Sequence, residues 1–205
     1  TDGRLASIDM RYHRQSSPND PRSKLNQFID GIIDSWKKTA DNEYTDPKTG
    51  KVEATKGGTI VVFYNHGFGA SVAERRGFNA RQWAMQRFRE AGIPTSDIGW
   101  IDDADTAAKK EELFKEVRQG KKRILIGSAK KMGTGMNVQR RLAALHYLDP
   151  PWYPADVEQP DGRIIRQGNL NKVVDLYRYA TKGSYDATMW QMVARKSHFI
   201  QQAFI

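Results

Sequence analysis

Five short apolar runs, most of them separated by helical patterns, constrain this chain more than any other feature. TIVVFY (59–64), DIGWID (97–102), RILIG (123–127), AALHYLD (143–149) and VVDLYRYA (173–180) are each bounded by turn-forming residues. Runs this short with little polar alternation suit strands buried on both faces, as in a parallel sheet. Between the first and second, residues 71–91 predict one long helix ended by Gly92 and Pro94. Residues 107–118 predict a helix stopped by Gly120, and 184–201 a closing amphipathic helix. Strands alternating with helices predict an α/β fold of three layers, with a mainly parallel sheet and helices on both faces.

The first 58 residues read differently. A helix is expected over 23–38, followed by TADNEYTDPKTGKVEATKGG (39–58), a polar stretch without apolar periodicity. It predicts a long surface loop. The expected organisation is an N-terminal arm (1–58), a core domain (59–181) and a C-terminal helix packed on it (182–205). The chain opens without Met and in mid-pattern, so it is expected to be a piece of something longer. No apolar run is long enough for a transmembrane helix, and no membrane partner is expected.

Cysteine is absent, which removes disulfides, thiolate metal sites and a cysteine nucleophile. The net charge of +9 is uneven. Residues 121–205 carry 14 basic and 6 acidic groups and hold nearly all of the excess. A local basic field fits a polyanion such as nucleic acid.

In open α/β sheets, ligands bind beyond the carboxyl ends of the strands. Two segments follow strands in that way. In GSAKKMGTGMNVQRR (127–141), Gly133-Thr134-Gly135 predicts a tight turn that lets backbone approach a ligand. A short helix is expected from Met136 to Arg141, with anion-attracting amides at its start. Lys130 and Lys131 add charge, and Thr134 and Asn137 add hydrogen-bonding groups. In EQPDGRIIRQGN (158–169), a helix over 155–166 would put Gln159, Arg163 and Arg166 at i, i+4 and i+7, on one face. Gly162 costs such a helix about 1 kcal/mol against Ala, which suggests a need for close approach. Arginine suits phosphate through its planar fork and permanent charge, and two arginines could neutralise charge on a transferring phosphoryl group.

Together these segments resemble the C-terminal RecA-like lobe of superfamily-two helicases and Swi/Snf-type translocases. GTIVVFYNH looks like motif IV, GSAKKMGTGMNVQ like motif V, and EQPDGRIIRQGN like motif VI. The segment LHYLDPPWYPADVEQ resembles the strand and turn that link the last two. The likeness covers residues 59–180. The wider chain is similar to the helicase part of phage- and plasmid-borne proteins that join a DNA methyltransferase to a helicase. Two departures are visible: Gly168-Asn169 where Swi/Snf proteins usually have Gly-Gln, and Trp152-Tyr153-Pro154 where they usually have Trp-Asn-Pro.

The resemblance implies a RecA-like fold and roles by position. Arg163 and Arg166 would act on ATP, with Gln159 and Gly162 completing that motif. Gly133, Thr134, Gly135 and Asn137, with Lys130 and Lys131, would meet nucleic acid, as would Asn65 and His66 after the first strand. No phosphate loop of the form G-x-x-x-x-G-K-[ST] occurs in the chain. In such motors that loop and the Mg2+-binding acids lie on a first RecA-like lobe. ATP and Mg2+ are therefore expected to be bound mainly by that lobe elsewhere in the full-length protein, and this fragment alone is expected to be inactive. The implied track is DNA, taken as double stranded, with RNA left open. The implied location is the cytoplasm of a bacterial or phage-infected cell. The second reading is a basic nucleic-acid-binding module without motor activity, inside a DNA methyltransferase or anti-restriction protein.

Two features read as structural. Asp102, Asp103 and Asp105 precede a helix, where Asp105 or Thr106 can cap it. His146 lies in a strand and is expected to be packed rather than metal-bound.

Overall fold

The computed structural model describes residues 2–132, 136–151 and 168–203. Its centre is a five-stranded sheet formed by β1 (Thr59–Phe63), β2 (Ile98–Trp100), β3 (Ile124–Gly127), β4 (Leu142–Tyr147) and β5 (Asp175–Arg178). The order is β2-β3-β1-β4-β5, and every pairing is parallel. β1, β3 and β4 are buried along their whole length, which explains why they read as continuous apolar runs.

Successive strand residues point to opposite faces, and the two faces carry separate cores. Ile60, Val62, Ile124, Ile126 and Ala144 pack toward α2 (Lys24–Lys38) and α4 (Ala80–Glu90). Helix α1 (Asp2–Ile8) joins this layer through Leu5 and Ile8. Val61, Phe63, Leu125, Leu145 and Tyr147 pack toward Leu113, Phe114 and Val117 of α5 (Ala107–Arg118). The last helix, here α7 (Tyr185–Ala203), adds Val193 and Trp190 to that second core.

Helix α2 is dictated by its spacing. Leu25, Phe28, Ile29, Ile32 and Ile33 are buried and recur at three and four residues, one stripe of a 3.6-residue helix. Ser23 caps it, its hydroxyl accepting from the Asn26 amide at 3.3 Å. This helix of the expected N-terminal arm covers one face of the sheet.

The long helix expected over 71–91 is two helices, α3 (Ala70–Arg76) and α4. Gly77 ends the first in the left-handed region at φ 66°. Asn79 opens the second, its side chain accepting from the Gln82 amide at 3.0 Å. The expected helix from Met136 to Arg141 is also corrected. After α6 (Ala129–Met132), among the described residues up to β4, only a 3-10 turn at Gln139–Arg141 is helical. Met136 and Val138 are buried while Asn137 between them is exposed, an alternation that a helix cannot supply.

Candidate nucleic-acid and nucleotide interface

β1 is the point where the sheet changes direction. The chain leaves it through α3 and α4 into the first layer and runs out to β2. It leaves β3 into the other layer, where Met132, Met136 and Val138 are buried, and crosses β1 to reach β4. Connections that diverge on either side of a central strand leave a crevice at its carboxyl end, the usual ligand position in such sheets.

Asn65 and His66 lie at that end and are held by Asp149, two residues beyond β4. The Asn65 amide donates to Asp149 Oδ1 at 2.8 Å, and the Asn65 side chain donates to the Asp149 carbonyl at 3.2 Å. His66 Nδ1 lies 2.5 Å from Asp149 Oδ2. The Asp149 carboxylate is buried, with 7% of its side chain exposed, whereas His66 keeps 23%.

A second cluster lies at the ends of β1, β2 and β3. Tyr64 donates to Asp102, and Lys131 pairs with the same carboxylate. Burial pushes the Asp102 carboxyl up, but hydrogen bonds from Lys131 and Tyr64 outweigh it and hold it below the usual carboxylate range. Burial pushes the Tyr64 phenol up, reinforced by its bond to Asp102. The other acids of the DDAD stretch are also paired. Asp103 binds Arg81 at 2.6 Å and Asp105 binds Lys109 at 2.8 Å. Thr106 caps α5, accepting from the Lys109 amide at 3.2 Å. Each acid of this stretch is thus engaged by a cation of the chain.

Lys130 and Asn137 are exposed after β3. Gly133, Thr134 and Gly135 lie outside the described residues, as do Gln159, Gly162, Arg163 and Arg166 and the helix expected over 155–166. The motif's last residue is described: Asn169 donates from its side chain to the Leu142 carbonyl at 2.9 Å, tying the returning chain to the start of β4.

His146 is packed and fully buried. Its Nε2 lies 2.9 Å from Ser35 Oγ, its Nδ1 2.9 Å from the Tyr179 hydroxyl, and its ring stacks on Tyr177 at 4.5 Å. Burial pulls its pKa down to about 3, against a weaker opposing pull from Asp175.

The described backbone superimposes on the C-terminal part of the Fun30 ATPase domain with a TM-score of 0.57, at 16% identity, over 88% of this chain and 49% of that one. The fold is RecA-like. The chain also matches the DUF1998 helicase MrfA in its DNA-bound structure, with a TM-score of 0.56 at 14% identity, over 88% of this chain and 21% of that one. No family model matches the chain. By sequence it is 32% identical over 90 residues to the Defense against restriction protein B of Escherichia phage P1, 44% of this chain and 4% of that protein. It is 31% identical over 93 residues to the ATP-dependent helicase YqhH of Bacillus subtilis, 45% of this chain and 16% of that protein. The chain therefore spans a small part of the curated relatives it matches.

Two participants were not singled out as site residues from the sequence. Asp149 reads there as a turn residue before Pro150-Pro151, and Tyr64 as part of a strand. The available signal was position: each lies at the carboxyl end of a strand beside the direction change.

Proposed function

We propose that this domain is the second motor lobe of an ATP-dependent DNA helicase or translocase. One observation carries the proposal. The three segments that hold the candidate residues leave the carboxyl ends of three adjacent strands, β3, β1 and β4. Asn65 and His66 follow β1, residues 128–138 follow β3, and the segment containing Gln159, Gly162, Arg163 and Arg166 follows β4. That adjacency supports one continuous interface for nucleic acid and nucleotide.

In this reading Asn65, His66, Lys130, Lys131, Gly133, Thr134, Gly135 and Asn137 contact the nucleic-acid backbone. Gln159 and Gly162 bring Arg163 and Arg166 onto the polyphosphate of ATP. ATP supplies a phosphoanhydride bond whose cleavage builds negative charge on the transferring group. The guanidinium groups stabilise that charge without gaining or losing a proton. ATP and Mg2+ are held mainly by a first RecA-like lobe in the full-length protein. Closing of the two lobes on ATP, and opening after hydrolysis, steps them along duplex DNA. The setting is the cytoplasm of a bacterial or phage-infected cell.

The test is Arg166→Ala in the full-length protein. Duplex-stimulated ATP hydrolysis should fall by at least ~10³-fold, the scale of an arginine finger, with duplex affinity changed less than about threefold. Undiminished hydrolysis would overturn the proposal. The second reading is a basic nucleic-acid-binding module without motor activity inside a DNA methyltransferase or anti-restriction protein, a setting that the match to a defense-against-restriction protein fits. It predicts salt-dependent DNA binding that ignores nucleotide even beside the first lobe.

A further inference from the structure

Asp149 spends both carboxylate oxygens on one loop. Oδ1 accepts from the Asn65 backbone amide and Oδ2 meets His66 Nδ1. Its own carbonyl accepts from the Asn65 side chain. The same loop is gripped from the other side, where the Tyr12 hydroxyl donates to the Gly67 carbonyl at 3.0 Å. Gly67 sits at φ 98°, and a Cβ there would fall 2.8 Å from that hydroxyl. The loop leaving β1 is thus clamped between the residues after α1 and the end of β4. A side chain that contacts a ligand from a loop loses less freedom on binding when the loop is already held.

We infer that Asp149 is a positioning residue for nucleic-acid binding, fixing the ring of His66 so that Nε2 is the nitrogen offered to a backbone phosphate. The inference rests on the nucleic-acid reading above. A carboxylate only accepts hydrogen bonds, so Nδ1 carries a proton toward Asp149, and the partner of one ring nitrogen settles the role of the other. A ring that donates from both nitrogens is positively charged, which suits a phosphate oxygen. Asp149 is largely buried and acts through His66 and Asn65 rather than by touching the ligand.

Asp149→Asn separates this role from simple support. The amide oxygen can still accept from the Asn65 backbone, and the substitution is isosteric. Its NH2 group, however, now faces Nδ1, which must become an acceptor. The measurements are fluorescence anisotropy of a labelled DNA duplex with the 205-residue chain at low salt, and 15N NMR of the His66 ring. Wild type should show a protonated Nδ1, and Asp149→Asn an unprotonated one. Asp149→Asn should weaken duplex binding about tenfold, the scale of one charge-assisted hydrogen bond. His66→Ala should do so at least as much, and the double variant should match His66→Ala within about twofold, because the two residues act as a unit. Additive losses, or an unprotonated Nδ1 in wild type, would overturn the role of Asp149 alone. Failure of wild type to bind duplex at all would overturn the nucleic-acid reading itself.

Discussion

His146 occupies the interior of the first layer as a neutral ring, sharing its nitrogens with Ser35 and Tyr179. Its pKa of about 3 in the folded chain lies below the ordinary value of 6.5. Between those values the unfolded chain binds the proton and the folded chain does not. Stability is therefore full above about pH 6.5 and falls as the pH drops, by about 1.4 kcal/mol per unit from this group. Urea midpoints at pH 7 and pH 5 should show that loss in wild type and a shallower one in His146→Asn. Equal slopes would place the acid sensitivity elsewhere. The packed state of His146 was legible because a histidine within a short apolar run has little room for a ligand. The role of Asp149 was not, because its partners Asn65 and His66 are more than 80 residues away. Only the pairing of β1 with β4 brings them together.

The polar stretch between α2 and β1 is bound to the sheet at a few points. Tyr44 is buried, with its ring 4.9 Å from the Arg141 guanidinium, and Glu53 pairs with both Arg140 and Arg141. The Arg141 side chain is only 1% exposed. Removing its carboxylate leaves a buried cation, so Glu53→Ala should cost about 3–5 kcal/mol in denaturant unfolding. Adding Arg141→Met should recover part of that loss. A single-variant cost under about 1 kcal/mol would mean that the pair is effectively solvated. Periodicity found α2 and α5, and continuous apolar runs found β1, β3 and β4, which are buried along their whole length. It missed the α3/α4 break because local signals, Gly77 and Asn79, interrupt an otherwise continuous pattern. It also missed the anchoring of residues 39–58, since isolated aromatic and charged anchors have no period.

At the scale of the molecule, strand order could not be read along the chain. The alternation of strands and helices required a parallel sheet, but the order β2-β3-β1-β4-β5 depends on which crossovers pack. That order makes the carboxyl ends of β3, β1 and β4 neighbours. Duplex binding should weaken steeply with salt, and Lys130→Ala should lower the log-log salt slope by about one. An unchanged slope would remove Lys130 from the interface. In the proposed motor, arginines of this domain complete a nucleotide site held mainly by another. The most direct measurement compares duplex-stimulated ATP hydrolysis by the full-length protein with that by the 205-residue chain. Robust turnover is expected in the first and none above background in the second. Robust turnover by the chain alone would contradict that arrangement.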